Sequence, residues 1–223
     1  MERLSADRIS PSTHHVREER SARSRAAILT AAERVFAGAG LAGARTEAIA
    51  AEAGVNKALL YYYFKNKDAL YQAVLENHLK EFHARGMEIL AARGSARAIV
   101  LAYVGMHFDF IAARPYYPLL YQRLSLTGGR LLERLTQKYF LPLRERLLEV
   151  IRRGMRSGEF RRVVPEHAAI SLVALTVFYF AAAPVVRAMG RLDPYAEGNL
   201  RRRRREVLEF IRHGLFNQPE AQP

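Results

Sequence analysis

Apolar residues recur at helical spacing along most of the chain, and glycine or proline interrupts them at intervals. The first run begins near Ser24 and stops in a glycine cluster of Gly38, Gly40 and Gly43. Further helices are predicted over residues 46–53, 55–62, 68–92, 95–113, 116–126, 130–157, 165–189 and 195–216. No stretch alternates with period two, so the pattern predicts an all-α protein without a β-sheet.

Two positions and one segment carry local predictions. Thr46 is placed to cap the second helix with its hydroxyl, and Pro142 should kink the helix predicted over 130–157. Residues 1–20 mix Ser, Pro, Thr, His and charge with little periodicity, so we expect a flexible basic arm there. They contain no apolar run of signal-peptide length, and no export is expected from them.

The longest uncharged run covers residues 168–186, which is close to the length that spans a bilayer as a helix. Six of its 19 residues are Ala, and Ser171, Thr176, Tyr179 and Pro184 dilute the remainder. This composition favours a helix buried between protein neighbours over one in lipid. We therefore expect no membrane association.

The composition is strongly basic, with 35 Lys and Arg against 22 Asp and Glu and a formal net charge of +13 over 223 residues. Such a balance favours polyanionic partners or an anionic surface. The chain has no cysteine, which excludes disulfides, thiolate zinc sites, Fe–S clusters and a cysteine nucleophile. A cytoplasmic location fits this absence.

Two short helices joined by a tight turn at Gly54 are typical of a helix-turn-helix, whose second helix enters the DNA major groove. The surrounding string reads Thr46, Ile49-Ala50, Ala53-Gly54-Val55, Leu60-Tyr61-Tyr62-Tyr63-Phe64 and Lys67-Asp68-Ala69-Leu70. Over residues 24–72 it closely resembles the DNA-binding domain of the TetR family of transcriptional regulators. The resemblance implies a three-helix DNA-binding domain over residues 21–70 and a larger helical ligand-binding and dimerisation domain over 71–223.

The resemblance also implies which residues contact DNA. Phosphate contacts fall on Thr46, Tyr61, Tyr63 and Lys67, and base contacts on Lys57, Ala58 and Leu59. The chemistry agrees, since an ammonium can contact guanine and Leu59 can pack on a thymine methyl. Ala58, Leu59 and Tyr63 depart from the family's usual residues, so part of the operator should be read by apolar contact.

Several neighbouring residues have a second interpretation. Tyr62 and Phe64 are expected in the core, where they would hold the recognition helix to the first helix. Lys65 and Lys67 could be ordinary solvated lysines. Arg20, Arg23 and Arg25 could reach phosphate or the minor groove, although a solvated helix start is favoured for them.

For the second domain, the resemblance implies an effector pocket and a twofold dimer that matches a palindromic operator. The aromatic and polar side chains expected to line a pocket for an unknown small molecule are Tyr103, His107, Asp109, Phe110, Tyr117, Tyr121 and Phe178. The residues expected at the dimer interface, on the last two helices, are Ala174, Ala181, Val207, Phe210 and Ile211. Effector binding would release the protein from DNA by a population shift.

Enzymatic and cofactor-dependent functions find no support in the sequence. Gly38, Gly40 and Gly43 match the dinucleotide-binding fingerprint, but they follow an amphipathic helix and no strand. The seven His show no zinc-binding spacing, so no metal, cofactor or catalytic residue is expected.

The main alternative is a protein that binds nucleic acid or anionic surfaces without sequence preference. Charge alone does not decide, because residues 1–70 hold only 11 basic against 8 acidic side chains, and the arginine run 201–205 lies far along the chain.

Overall fold

The computed structural model describes residues 11–190 and 192–217, and these residues form helices joined by short turns. The helices are α1 (Pro11–Gly43), α2 (Thr46–Glu52), α3 (Lys57–Tyr63), α4 (Lys67–Leu90), α5 (Ala96–Ala112), α6 (Tyr117–Thr127), α7 (Gly129–Leu135), a π-helix (Thr136–Phe140), α8 (Leu141–Arg156), α9 (Pro165–Ala181), α10 (Ala183–Ala188) and α11 (Glu197–Leu215). Pairing of β type in this part of the chain is limited to one isolated bridge between Phe160 and Phe216. The all-α prediction is confirmed.

Contacts among the described residues divide the chain into two compact units between Val74 and Leu75, within α4. In the first unit, α1 packs against α2 and α3. Ile28 and Phe36 of α1, Ile49 of α2 and Leu60 of α3 are fully buried in its core. Gly54, with φ of 66°, makes the turn between α2 and α3 in a conformation that favours glycine. This small core fixes how α3 is presented.

The first helix is longer than the sequence pattern predicts. It begins at Pro11, so the expected flexible arm over residues 1–20 is wrong for residues 11–20, and residues 1–10 lie outside the described part of the chain. Arg and Glu make up six of the nine residues 17–25, and both are strong helix formers that need no apolar stripe. An exposed ion pair between Glu19 and Arg23, four residues apart, supports the same helix.

The ends of the next helices differ from the prediction in one respect. Arg45 occupies the cap position of α2, and Thr46 is its first helical residue with a buried side chain. The threonine cap is therefore wrong, and the hydroxyl of Thr46 lies near α3 instead. The cap of α3 is Asn56, whose side chain accepts a hydrogen bond from the backbone N–H of Leu59 at 2.7 Å.

In the second unit, α5 is the most enclosed helix and packs against α8, α9 and α11. The predicted helix over 130–157 consists of three segments, with the π-helix directly before Pro142. A proline ring displaces the carbonyl four residues earlier, which accounts for the wider turn. The helix predicted over 165–189 is interrupted at Ala182, two residues before Pro184.

One helical segment within the described residues, Glu18–Gly43, is long and apolar enough by composition to cross a membrane. Its apolar residues Ile28 and Phe36 are fully buried in the first unit, as expected of a core helix. The α5–α6 pair passes the same test only as two helices bent by 96°. Residues 168–186 do not form one continuous helix, since they are divided between α9 and α10.

Candidate DNA-binding surface and ligand-binding unit

The recognition helix α3 is anchored by one side and exposed on the other. Leu60 is fully buried, and Phe64, four residues later, is also buried. Lys57, Ala58 and Tyr61 are exposed, and Leu59 is half-buried. The three residues predicted to contact bases thus lie together at the start of one accessible helix.

Tyr62 corrects the expectation that it belongs to the core. Its side chain is 79% exposed, whereas Phe64 is buried as predicted. Leu60 marks the inner face of α3, and a residue two positions after it points to the opposite side of the helix, whereas Phe64 follows the end of α3. The ring of Tyr62 packs edge to face on that of Tyr63 at 5.2 Å. Tyr62 is therefore an aromatic side chain on the accessible surface of α3, which the sequence pattern did not predict.

Four polar side chains join α2 to α3, and we call them the α2–α3 polar cluster: Thr46, Glu47, Lys57 and Tyr61. The Lys57 ammonium donates to Oε1 of Glu47 at 2.5 Å and lies 5.9 Å from the centre of the Tyr61 ring. The Thr46 hydroxyl lies 3.3 Å from the Tyr61 hydroxyl and donates to Oε2 of Glu47 at 3.4 Å. Three predicted DNA contacts are therefore brought together around one carboxylate.

The charges in this cluster stabilise each other. The hydrogen bond from Lys57 lowers the pKa of the Glu47 carboxyl, and the same bond raises the pKa of the Lys57 ammonium. Both side chains are at least half exposed, so the pair remains accessible to DNA. At neutral pH the surface presents a cation and an anion side by side.

The two remaining predicted phosphate contacts also hold the local structure. Lys67 donates from its ammonium to the carbonyl oxygens of Ala42 and Ala44, at 3.2 and 3.1 Å. The Tyr63 hydroxyl donates to the Ser21 hydroxyl at 2.9 Å. Both side chains are half-buried, so they tie the ends of α3 and α4 to α1 and the turn after it.

The three arginines predicted as possible DNA contacts lie on α1 and differ in their surroundings. The guanidinium of Arg25 lies 5.3 Å from the centre of the Phe64 ring. Arg23 pairs with Glu19 on the helix surface. Arg20 and Arg23 are exposed, so a solvated position and a DNA contact both remain compatible with their placement.

Five members of the predicted pocket set lie inside the second unit. Tyr103, His107, Phe110 and Tyr117 are buried, and Tyr121 is half-buried. The rings form a chain of contacts, with Tyr117 lying 5.4 Å from Phe110 and 4.7 Å from Tyr121. The predicted set therefore contains an interior aromatic group, whose role as a pocket stays a prediction.

His107 supplies a polar group to this interior. Its Nδ1 lies 2.9 Å from the hydroxyl of Thr176 on α9, and its ring lies 4.9 Å from that of Phe82. Burial lowers the pKa of His107 to about 4 and raises the pKa of the Tyr103 and Tyr117 phenols. The interior is consequently uncharged at these residues near pH 7.

Asp109 and Phe178 do not lie with this group, which corrects their place in the predicted pocket. Asp109 is exposed, and both of its carboxylate oxygens accept from Nε of Arg204 on α11, at 2.8 and 3.0 Å. Phe178 is 72% exposed on α9. On α5, Asp109 sits between the buried Phe108 and Phe110, so helical geometry turns it outward.

The predicted interface residues divide between two faces. Val207 and Ile211 are buried in the core of their own unit, so their assignment to an interface is wrong. Phe210 is 65% exposed, Ala174 is exposed and Ala181 is half-buried. Phe210 directly precedes Ile211, and a step of about 100° around α11 separates inner from outer side chains.

An open groove of about 700 Å³ runs along α9 and α11 beside these exposed residues. Its lining includes Leu172, Leu175 and Phe210, together with Arg161 and His167. Further apolar side chains exposed on and around α9 and α10 are Val164, Ile170, Phe178 and Val185. Sequence periodicity could not identify them as exposed, because α9 is apolar on nearly every side.

Metal binding finds no support in the part of the chain that the structure describes, where no group of three or more His, Asp or Glu side chains is placed to hold an ion. The interior of the second unit instead holds packed aromatic side chains of the hydrophobic core and neutral polar groups.

Two family models match the chain. The model described as bacterial regulatory proteins of the tetR family matches residues 28–74, and a tetracyclin repressor-like C-terminal domain model matches residues 97–211. Together they cover more than half of the chain. The division between them agrees with the two units seen in the structure.

Individual proteins agree with these models. The transcriptional regulator RutR of Escherichia coli is 31% identical over 73% of this chain and 76% of its own length. The transcriptional repressor NicS of Pseudomonas putida is 28% identical over 74% of this chain and 79% of its own. The structure of FadR from Bacillus subtilis, in complex with stearoyl-CoA, superimposes with a TM-score of 0.64 at 21% identity, covering 83% of this chain and 96% of FadR, and supports the fold. The proteins of this family are regulators and not enzymes. The chain therefore belongs to the TetR family of DNA-binding transcriptional regulators.

Proposed function

We propose that this protein is a cytoplasmic repressor that binds a palindromic operator as a homodimer and is released by a small-molecule effector. The observation that carries the proposal is the accessible face of α3, where Lys57, Ala58 and Tyr61 stand on a helix anchored by Leu60. A helix presented in this way fits the major groove and reads base edges. The relative NicS is named as a repressor, which supports the direction of regulation.

The same surface supports the residue roles proposed for DNA. Lys57, Ala58 and Leu59 contact base edges, and Tyr61, exposed beside Lys57, contacts a phosphate. Thr46 contacts the same phosphate as Tyr61, because the hydroxyls of the two residues lie 3.3 Å apart. Lys67 contacts phosphate with its remaining donor, since an ammonium has three N–H groups and Lys67 uses two of them. Tyr63 has a single O–H, so its proposed phosphate contact requires the hydroxyl to turn away from Ser21.

The exposed apolar surface of α9 and α11 supports the homodimer. Phe210 lines the open groove, and Ala174 and Phe178 are exposed on α9. Exposed apolar side chains that lie together mark a site of protein association. A second copy is the occupant that a palindromic operator requires, because two recognition helices must be spaced by about 34 Å. The twofold symmetry of the site would then match that of the protein.

The interior of the second unit supports an effector with an apolar or aromatic body. Tyr103, Phe110 and Tyr117 provide apolar walls, and His107 with Thr176 provides a neutral hydrogen-bonding group. A ligand there would bear on α4 through Phe82, whose ring lies 5.3 Å from that of Phe110. Because α4 continues into the first unit, a shift of α4 would change the presentation of α3 and release DNA.

Sequence-specific DNA binding is tested by selecting bound fragments from randomised and genomic duplex DNA. Enrichment of a palindrome, protected from cleavage over both half-sites, is the expected result. Binding of the palindrome and of random duplex with equal affinity at matched salt would instead establish the alternative, nonspecific nucleic-acid binding. Effector release is tested by adding the substrates and products of enzymes encoded near the enriched sites and measuring loss of operator binding.

A further inference from the structure

Glu47 occupies the centre of the α2–α3 polar cluster and has no role in the DNA contacts proposed above. One carboxylate oxygen accepts from Lys57 at 2.5 Å, and the other accepts from Thr46 at 3.4 Å. Its side chain is 64% exposed, so it faces solvent beside Lys57 and Tyr61. A carboxylate is therefore displayed among side chains that are proposed to bind DNA.

The charge of Glu47 restricts what it can contact on DNA. An ionised carboxylate only accepts hydrogen bonds, and a nearby phosphate would repel it. The favourable partners are therefore hydrogen-bond donors, and the donors in the major groove are the amino groups of cytosine and adenine. Acidic side chains in direct readout typically pair with N4 of cytosine.

The position of Lys57 selects among these partners. Lysine donates to O6 and N7 of guanine, and in a G·C pair these acceptors lie beside the amino group of cytosine on the major-groove edge. Lys57 and Glu47 present a donor and an acceptor 2.5 Å apart, the same two kinds of group that would complement the acceptor and donor side by side on this edge. The two side chains come from different helices, so the fold of the first unit brings them together.

We infer that Glu47 is a specificity-determining residue that accepts a hydrogen bond from N4 of a cytosine while Lys57 donates to the paired guanine. The inference rests on the proposed sequence-specific binding and adds a required G·C pair in each half-site. It also gives Glu47 a second effect, because a carboxylate beside Lys57 offsets the attraction of that ammonium to phosphates. Affinity for random DNA is thereby lowered relative to the operator.

The first test compares binding-site selection by the full-length wild type, by Glu47→Ala and by Glu52→Ala. Glu52 also lies on α2, pairs with Arg34 at 2.6 Å and is not part of the cluster, so its variant controls for the lost charge. Glu47→Ala should lose the preference for one G·C pair per half-site and bind random duplex more tightly, with a salt dependence steeper by about one phosphate contact. Glu52→Ala should keep the wild-type base preference.

The second test uses the wild-type protein and a modified operator, so it does not depend on the folding of a variant. The cytosine of the assigned pair is replaced by a 2-pyrimidinone nucleotide, which lacks the N4 amino group. Wild type should lose about tenfold in affinity, in line with the usual cost of a lost base contact. The Glu47→Ala variant should be insensitive to the replacement.

The outcomes separate this inference from the proposed function. If wild type enriches an operator but Glu47→Ala retains its full base preference, or if the amino group can be removed without loss, the role of Glu47 is overturned while sequence-specific binding stands. If wild type enriches no sequence, both are overturned.

Discussion

Nδ1 of His107 lies 2.9 Å from the hydroxyl of Thr176 in the interior of the second unit, which joins α5 to α9 through a buried polar contact. The imidazole is surrounded by the rings of Phe82 and Tyr103. The hydroxyl of Thr176 donates its proton to the carbonyl oxygen of Val173 at 2.8 Å. A lone pair of the same hydroxyl oxygen can therefore accept a hydrogen bond from a proton on Nδ1 of His107. A neutral His107 thus satisfies both groups without placing a charge in the core.

This contact predicts a dependence of stability on pH. The pKa of His107 is lowered from 6.5 to about 4 by burial, so between these values the unfolded chain binds a proton that the folded chain does not. Stability from this residue is complete above pH 6.5 and falls as the pH decreases toward 4, by about 3 kcal/mol in all. Urea unfolding of wild type and His107→Gln at pH 7.5 and 4.5 measures the difference.

The control for that experiment is His167→Gln, because His167 is exposed on α9. Carboxyl groups also titrate between pH 7.5 and 4.5, but all three proteins have the same carboxyl groups, so their contribution cancels in the comparison. Wild type and His167→Gln should lose more stability on acidification than His107→Gln. Equal losses in all three would show that His107 does not titrate as its burial requires.

Long helices and the buried faces of α1 and α5 could be predicted from the sequence, because many apolar residues that recur about every 3.6 positions indicate the same inner face. The α3 helix has seven residues, too few for periodicity to separate the buried Leu60 from the exposed Tyr62. Similarly, Phe210 and Ile211 belong to one apolar stripe in sequence but to different surfaces in the structure.

The polar contacts of the DNA-reading face could not be predicted for a different reason. Glu47 and Lys57 are ten residues apart on separate helices, and their 2.5 Å contact depends on how α2 and α3 cross. The resemblance to a family placed Lys57 and Tyr61 on that face but gave no indication that Lys57 pairs with a carboxylate there. Such contacts depend on tertiary structure, and the residues on either side of each partner in the sequence do not reveal them.

Substitutions of two lysines should separate base contacts from phosphate contacts. Lys57→Ala should reduce operator affinity by about 1–3 kcal/mol with less effect on random duplex, since a base contact is lost. Lys67→Ala should weaken binding to all duplexes and make the salt dependence shallower by about one phosphate contact. Titrations of operator and random duplex at several salt concentrations measure both effects.

Lys65→Ala serves as the matched control, because Lys65 is an exposed lysine in the same turn. Lys67→Ala should also lower the free energy of unfolding by about 1 kcal/mol, since Lys67 donates to the carbonyls of Ala42 and Ala44. Identical effects of Lys57→Ala and Lys67→Ala on operator and random DNA would favour nonspecific binding.

A charge on the exposed face of α9 and α11 should dissociate the proposed dimer. Phe210→Glu would place a carboxylate in an apolar interface without a partner, which typically costs several kcal/mol. Leu126→Glu, a substitution of an exposed leucine on α6, is the control that should leave association unchanged. Sedimentation velocity should show a monomer for Phe210→Glu with retained helicity. A dimer that persists in Phe210→Glu would place the interface elsewhere.

Substitution by alanine should have opposite effects on stability at Gly154 and at Gly38. A Cβ at Gly154 would lie 2.5 Å from Cδ2 of Phe160, and Phe160 is held by the bridge to Phe216 and by a stacked contact of their rings at 5.1 Å. Gly154→Ala should therefore destabilise the protein by about 1–3 kcal/mol through overpacking.

Gly38, in contrast, lies in the helical part of α1, where an added Cβ would meet nothing within 4 Å. Gly38→Ala should stabilise the protein by about 0.5–1 kcal/mol, because alanine loses less backbone entropy on entering a helix. Urea unfolding of both variants gives the comparison directly. If Gly154→Ala were neutral, Phe160 could move without cost, and the close packing of α8 against the Phe160–Phe216 bridge would not constrain the second unit.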